Sequence, residues 1–302
     1  MKKVPNIWLT ILLALIAASG LSLLLPKDSE LYLSQRFWIT KTFAPARYNV
    51  IVMGDSRVYR GVSPAIMEKE LKEFKVLNFA YSNGGLNPEM FSAAENKLNE
   101  TSRFKVIVLG ISANTVTGYS RDNRQYLQEL SRTREQRFEA IYLNSVKYWF
   151  SPTLPEKLLD ELKNKQTDAF YTNKYFMNGY VASIKFPIDT TEAILSYQKD
   201  FNQYKVENKY LDELYFQVKR WTNQNIIVFG FRPPVSLPMR QLEDSLGRYN
   251  EEQIRTEFEK AGGHWIDLNP NLYKTYDGSH VTIESARKLS IKIASEIEKL
   301  VH

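Results

Sequence analysis

Four short apolar runs, each ending at a turn-forming residue, constrain the fold of this chain more than any other feature. They are rich in Val and Ile and cover residues 49–53, 75–80, 104–111 and 225–231, with a shorter fifth candidate at 264–268. The runs are continuous rather than alternating, which is typical of strands buried on both faces of a parallel sheet. The sequence therefore predicts a parallel sheet at the centre of the molecule.

Helical patterns lie between these runs and after the last one. Ser63 and Pro64 are residue types that cap and open a helix. Residues 241–260 form a long charged pattern, and Thr282 precedes an apolar stripe that continues toward residue 300. Because strands and helices alternate, we expect an α/β protein with a three-layer α/β/α, flavodoxin-like fold. In such sheets, active sites form beyond the carboxyl ends of the strands.

One interval, residues 115–215, is too long for a simple connection between two strands. It contains predicted helices at 122–144, 155–165 and 191–219, together with many aromatic residues. We interpret it as a large, mostly helical insertion that covers the active-site end of the sheet. Its aromatic side chains have two alternative uses: they stack on sugar rings or line an acyl pocket, or they pack the insertion onto the core.

The N-terminal residues predict where in the cell the protein is located. Lys2 and Lys3 precede an uncharged apolar segment over residues 7–25. A helix of that length, at about 1.5 Å per residue, roughly crosses the apolar core of a bilayer. Positive charge ahead of such a segment predicts a cytoplasmic N-terminus and an exported remainder. A cleavable signal peptide is the alternative, because residues 18–20 are small, as a signal peptidase prefers.

The predicted organisation therefore has three parts. Residues 1–25 form an N-terminal transmembrane helix or a signal peptide, residues 26–46 form a stalk, and residues 47–302 form the α/β domain with its insertion. We expect a single-pass protein of the cell membrane whose α/β domain lies outside the cytoplasm, in the periplasm or the extracellular space.

Composition excludes several kinds of site. The chain has 302 residues, a formal net charge of +6 and no cysteine, so disulfides, thiolate metal sites and cysteine nucleophiles are ruled out. Basic and acidic residues are interspersed, which leaves no nucleic-acid signature; the mild surplus of positive charge fits an ordinary solvated surface or contact with anionic polymers or headgroups. No histidine and carboxylate cluster has metal-ligand spacing, and no glycine-rich phosphate loop follows the first run. We therefore expect no metal and no cofactor.

Two short motifs, at opposite ends of the predicted domain, contain the candidate catalytic residues. Gly54-Asp55-Ser56 follows the first apolar run directly, so Ser56 is presented at a strand-to-helix turn, where a hydroxyl is exposed. Asp277-Gly-Ser-His280 lies just before the last helix. A histidine three residues after an aspartate supplies a general base and the group that orients it. The chain contains only three histidines, so the choice of base is narrow.

These motifs resemble those of the SGNH/GDSL hydrolase family. Its members have a Gly-Asp-Ser near the start, a glycine after strand two, an asparagine after strand three and a terminal Asp-x-x-His. The likeness covers residues 48–114 and 225–300. It implies that Ser56 is the nucleophile, that His280 is the general base and that Asp277 orients the base.

The resemblance also implies an oxyanion hole formed by the Ser56 backbone, a glycine and an asparagine. In the second motif, residues 78–85, the family glycine corresponds to Asn83 or Gly84. We assign Gly84, because only glycine lets a backbone N–H approach an oxyanion without interference from a side chain. The third motif usually reads Gly-x-Asn-Asp. Here an extra residue is present and the aspartate is absent, and Asn114 is the candidate side-chain donor.

Two arginines lie near the predicted site in sequence. Arg57 follows Ser56 directly, and Arg232 follows the fourth apolar run. Both are candidate substrate-binding residues: Arg57 for an anionic group of the substrate, and Arg232 because the end of the fourth run places it within reach of the site. For Arg57, pairing with a carboxylate is the alternative.

These inferences together predict a serine esterase or O-acyl(acetyl)transferase. The resemblance implies the acyl chemistry, and the predicted export points to an acylated glycan of the cell envelope, or another ester, as substrate. One alternative is a non-catalytic or weakly catalytic membrane-anchored assembly factor of a surface-polymer acylation system, with a membrane-bound acyltransferase as partner. The altered third motif and the large insertion are compatible with that alternative. A lipid or thioester hydrolase is a third option.

Overall fold

A computed structural model describes residues 7–24, 29–144 and 169–301 of the chain. Within these ranges the strands are β1 (Val50–Met53), β2 (Val76–Asn78), β3 (Lys105–Gly110), β4 (Phe170–Phe176), β5 (Tyr180–Phe186), β6 (Ile226–Phe231) and β7 (His264–Trp265). Five of them form a parallel sheet in the order β2-β1-β3-β6-β7. The five predicted apolar runs are thus confirmed as one parallel sheet, although each strand is shorter than its run.

The helices alternate with the strands of the sheet. They are α1 (Ile7–Leu24), α2 (Ser29–Thr42), α3 (Ser56–Gly61), α4 (Pro64–Leu71), α5 (Pro88–Glu95), α6 (Arg124–Leu130), α7 (Arg134–Phe138), α8 (Ile194–Gln203), α9 (Asn208–Asn223), α10 (Leu237–Ser245), α11 (Glu251–Lys260) and α12 (Ile283–Val301). Short 3-10 helices occupy Asn114–Val116, Gly118–Asp122 and Pro270–Leu272, and a π-helix at Glu139–Leu143 continues α7.

Side chains of the central strands alternate between two separate hydrophobic clusters. In β1, Val50 and Val52 belong to a cluster shared with α3, α4 and α12, whereas Ile51 and Met53 belong to one shared with α5, α9 and α11. Burying each such side chain stabilises the fold by about 1.5–3 kcal/mol relative to leaving it exposed. The two clusters lie on opposite faces of the sheet. Helices therefore cover both faces, which gives the three predicted layers.

The described part of the predicted insertion contains a β-hairpin in addition to its helices. β4 and β5 form an antiparallel hairpin in which Phe170 pairs with Phe186 and Phe176 with Tyr180. The loop contains Gly179, which has a φ of +94°. An Asn-Gly pair between two runs rich in aromatic and β-branched residues is a known signal for a hairpin, and it is present in this sequence.

The hairpin packs against the sheet edge and against α3. The N–H of Asn78, at the end of β2, donates to the carbonyl of Asn178 at 2.9 Å. A Cβ on Gly179 would lie 1.9 Å from the Asn78 carbonyl oxygen, so no other residue fits this contact. The hairpin is therefore part of the α/β domain and covers one side of α3.

The predicted helices of the insertion are also divided differently. Residues 122–144 contain α6, α7 and the π-helix, while 191–219 contain α8 and most of α9. α9 packs on β6 through Leu214 and Val218 and is the helix that leads into the sheet. The predicted helix at 155–165 and the aromatic residues at 148–150 lie outside the described residues.

The part of the predicted stalk that the structure describes, residues 29–46, does not form a stalk. α2 packs on the domain, where the side chains of Phe37 and Ile39 are fully buried. The Lys41 side chain is also fully buried, and its ammonium group donates to the carbonyl of Ala80. Burial lowers the pKa of Lys41 well below its ordinary value.

The predicted transmembrane helix is not supported in the part of the chain that the structure describes. There, no helix combines the length and apolar character that spanning a bilayer requires.

The long helix predicted at 241–260 is two helices, α10 and α11. Arg248, between them, has a φ of +58°, and a Cβ on Gly247 would lie 2.6 Å from the Glu243 carbonyl oxygen. Asn250 then caps α11 by accepting the N–H of Gln253 at 3.1 Å. The break brings carboxylates of both helices close to the end of β6.

Candidate active site

Ser56 is presented by a sharp turn between β1 and α3. Gly54 has a φ of +148°, and a Cβ there would lie 2.4 Å from Cγ2 of Val58. Asp55 caps α3, because its Oδ1 accepts the N–H of Arg57 at 3.0 Å and its Oδ2 accepts the hydroxyl of Ser112 at 2.6 Å. The middle residue of the first motif thus fixes the turn that carries the serine.

The structure brings Ser56, His280 and Asp277 into one hydrogen-bonded chain. The Ser56 Oγ lies 2.9 Å from Nε2 of His280, across 224 positions of sequence. The other ring nitrogen, Nδ1, lies 2.7 Å from Oδ2 of Asp277. Both distances permit proton transfer or a strong hydrogen bond.

The turn that carries His280 is held by the second oxygen of Asp277. Its Oδ1 accepts the backbone N–H groups of Ser279 at 2.9 Å and His280 at 2.7 Å. Burial on its own raises the pKa of Asp277, but the hydrogen bonds and charge of His280 and the backbone outweigh it and lower this pKa. The ring of Tyr276 stacks on the imidazole, with centroids 5.8 Å apart. The carboxylate is therefore kept ionised and the imidazole is fixed in orientation.

A second contact joins the serine helix to the histidine turn. Nε of Arg57, next to the serine, donates to the hydroxyl of Ser279, next to the histidine, at 3.0 Å. Ser279 in turn donates to the Tyr197 hydroxyl at 3.0 Å, and the Arg57 guanidinium lies over the Tyr197 ring. These buried contacts hold Ser56 and His280 at a fixed separation.

Arg57 and Arg232 converge on a fully buried carboxylate, Glu243. Arg57 forms an ion pair with its Oε1, and Arg232 Nη2 lies 2.8 Å from its Oε2. Burial on its own raises the pKa of Glu243, but the two guanidinium charges outweigh it, so this pKa is lowered. Arg232 also pairs with Asp244 at 2.7 Å. Both arginines are buried, and these ion pairs replace the predicted substrate contacts.

The predicted oxyanion donor at Gly84 is corrected by the structure. Its N–H donates to the carbonyl of Tyr81 at 3.0 Å and closes a tight turn. Glycine is needed there because a Cβ would lie 2.8 Å from the Gly54 carbonyl oxygen. Asn83, the alternative, has a φ of +51°, and no described residue accepts its N–H. Glycine at position 84 does allow a close approach, as predicted, but the approaching group is the Gly54 carbonyl and not an oxyanion.

The other two predicted oxyanion donors lie at the ends of neighbouring strands. The N–H of Ser56 is the first of α3 and so has no acceptor within the helix. Asn114 begins a 3-10 helix just beyond β3, and its side chain is only 5% exposed. Its Oδ1 is buried and accepts no hydrogen bond from the described residues. Adjacent parallel strands end at the same edge of the sheet, so both groups lie at the edge where Ser56 is presented.

A small polar recess lies beside the Asn83 turn. It has a volume of about 150 Å³, and its lining includes Ser82, Asn83, Tyr119 and Arg124. The Asn83 amide donates to the Tyr119 hydroxyl at 3.3 Å. A recess with this lining suits a small hydroxylated group rather than a long apolar chain.

No group of three or more metal-ligating side chains comes together within residues 7–24, 29–144 and 169–301.

Comparisons with known proteins give distant likenesses only. No family model and no curated protein matches the chain. A lipase/acylhydrolase from Enterococcus faecalis is similar to it with a TM-score of 0.39 and 13% identity, over 83% of this chain and 96% of that one. A protein described provisionally as a platelet activating factor from Streptococcus pneumonia gives 0.37 and 12%, over 93% and 98%. With TM-scores below 0.5, neither likeness carries an argument about this chain.

Proposed function

We propose that this protein is a serine esterase or O-acyltransferase whose nucleophile is Ser56. One observation carries the proposal: the chain of hydrogen bonds from Ser56 Oγ to His280 at 2.9 Å and from His280 to Asp277 at 2.7 Å. A hydroxyl, an imidazole and a carboxylate joined in this order are the groups that acyl transfer through a serine requires.

The proposed reaction has two steps. In the first, His280 Nε2 takes the proton of Ser56 as its Oγ attacks the ester carbonyl, and the same proton then passes to the departing alkoxide. In the second, His280 takes a proton from water or from an acceptor hydroxyl as its oxygen attacks the acyl-enzyme, and that proton then passes to Ser56 Oγ as the acyl–serine bond breaks. Asp277 holds Nδ1 protonated and stabilises the imidazolium that forms in each step.

The proposed oxyanion donors are the backbone N–H groups of Ser56 and Asn83 and the side-chain amide of Asn114. Gly84 is excluded because its N–H is used within its own turn. Donors aimed at the developing charge are worth roughly 100-fold to 1,000-fold in rate each. Asn114 is held in place by burial rather than by hydrogen bonds of its Oδ1.

The acyl acceptor separates an esterase from a transferase. The polar recess beside Asn83 favours an acceptor with hydroxyl groups, such as a sugar. An acylated glycan substrate and a location outside the cytoplasm stay predictions of the sequence. To distinguish the two activities, free acid and acylated sugar are quantified from an acyl donor with and without a sugar acceptor. Free acid as the sole product in both mixtures would exclude the transferase.

The test of the proposal is hydrolysis of 4-nitrophenyl acetate by the full-length protein. We expect turnover that falls by at least about 1,000-fold in Ser56→Ala and in His280→Ala. Ser245→Ala removes an exposed hydroxyl on α10 and is the matched control, with unchanged activity expected. Turnover that survives in Ser56→Ala would refute the assignment of the nucleophile.

A further inference from the structure

Arg60 is half-buried, and it differs from the buried arginines Arg57 and Arg232 in the charge of its partners. Arg57 and Arg232 both pair with Glu243, whereas no carboxylate among the described residues pairs with Arg60. Its Nη1 donates instead to neutral oxygen atoms, those of Tyr171 at 2.6 Å, Asn173 at 2.8 Å, Tyr276 at 3.4 Å and Ser183.

The positive charge of Arg60 is therefore not neutralised within the described residues. A cation that is mostly removed from water without a counter-charge is unfavourable. Its Nε is buried and has no hydrogen-bond partner in the same ranges. The rings of Tyr59 and Tyr171, with centroids 5.2 and 5.9 Å from the guanidinium carbon, compensate only weakly. An anion bound here would supply the missing charge.

Arg60 lies close to the candidate catalytic groups. It follows Ser56 by four residues in α3, so the two side chains share a face of the helix about 6 Å apart along its axis. Tyr276 joins this cluster to the site, because its hydroxyl accepts from Arg60 and its ring stacks on His280. A group held by Arg60 is thus within reach of a small ester bound at Ser56.

The cluster is open to solvent on one side. The Tyr171 side chain is 45% exposed, and its hydroxyl oxygen accepts from Arg60, which leaves the hydroxyl proton able to donate outward. A guanidinium and a neighbouring hydroxyl can both donate to the oxygen atoms of a carboxylate or a phosphate.

We propose that Arg60 and Tyr171 bind an anionic group, a carboxylate or a phosphate, of the ester substrate. This role as a substrate-binding site rests on the proposed function, since it takes Ser56 to be the group that attacks the ester. The anion site itself does not depend on catalysis. It replaces the anion contact that the sequence analysis gave as one alternative for Arg57.

The first test measures anion binding in the absence of turnover. Inorganic phosphate and succinate are titrated by calorimetry into full-length Ser56→Ala and into the same protein with Arg60→Met added. We expect saturable binding that weakens at least about tenfold when Arg60 is removed. Arg255→Met, which removes an exposed guanidinium on α11, should leave the affinity unchanged. No saturable binding of either anion, or equal affinity with and without Arg60, overturns the proposal.

The second test separates anion binding from a purely structural role. Hydrolysis of 4-nitrophenyl acetate is compared with hydrolysis of mono-4-nitrophenyl succinate, which carries a free carboxylate. In Arg60→Met we expect the loss of kcat/KM for the anionic ester to exceed the loss for the acetate by at least about tenfold, and Arg60→Lys should recover part of the difference. Equal losses on both esters would mean that Arg60 only holds the hairpin and Tyr276, which overturns the proposal. If the wild-type protein hydrolyses neither ester, the proposed function fails, and the titration still decides the anion site.

Discussion

Glu243→Gln is expected to destabilise the protein strongly, because Glu243 is the common counter-charge of two buried guanidinium groups. Its side chain is fully buried and pairs with Arg57 and Arg232. Glutamine keeps the shape and removes the charge, so both arginines remain buried without this partner. Removing one member of a buried ion pair typically costs about 3–5 kcal/mol. Because Arg57 also holds Ser279, we expect esterase activity to fall together with stability.

The free energy of unfolding is measured by urea denaturation of the full-length wild type and variant at pH 7. Glu259→Gln is the control, since this carboxylate is 44% exposed and pairs with Arg255, and an exposed pair is worth about 0–1 kcal/mol. The pKa of Glu243 is lowered in the folded protein. Its ionised carboxylate therefore contributes fully to stability at pH values above its ordinary pKa, and this contribution is lost as the pH falls through the lower pKa of the folded state. The difference in free energy of unfolding between wild type and Glu243→Gln should therefore become smaller only below about pH 4.5. If Glu243→Gln loses no more free energy of unfolding at pH 7 than Glu259→Gln does, the reasoning is refuted.

Three further substitutions test other parts of the site. Asp277→Asn should lower kcat by about 10,000-fold with little loss of stability, because the imidazole of His280 loses the partner that fixes its tautomer; a loss below about tenfold contradicts this role. Gly54→Ala should reduce both stability and activity, measured by thermal unfolding and ester hydrolysis, because the new Cβ would lie 2.4 Å from Val58 Cγ2; a stable, active variant contradicts it. Asn114→Ala should lower kcat by about 100-fold without destabilising the fold, since an unsatisfied buried oxygen is removed with the amide; equal loss of stability and activity contradicts a role in the oxyanion hole.

The sequence predicts the parts of this fold that local chemistry determines. Buried parallel strands require continuous apolar runs, and all five were recognised for that reason. The approach of Ser56 to His280 was inferred from two motifs and the rule that parallel strands present their active-site residues at one edge of the sheet. The hairpin is not predicted although Asn178-Gly179 signals it, because the aromatic residues around it are interpreted as a substrate surface or as packing of the insertion onto the core, and not as strands.

Other features depend on contacts between distant residues and have no local signal. The ion pair of Arg57 with Glu243 joins positions 186 residues apart, so the sequence offers carboxylate pairing as one alternative for Arg57 but does not identify Glu243 as the partner. Gly84 shows the same limit, since glycine is required there by the carbonyl of Gly54 across the turn. Arg60 was not singled out, because what distinguishes it is the absence of a carboxylate among its described neighbours.

The central claim is that Ser56 is an activated nucleophile, and covalent labelling tests it most directly. The full-length protein is treated with a fluorophosphonate, and the modified residue is identified by intact mass and peptide mapping. We predict a single adduct on Ser56 in the wild type, none in Ser56→Ala, and much slower labelling in His280→Ala. A folded wild-type protein that takes up no label, or that takes it up on a different serine, would contradict the account.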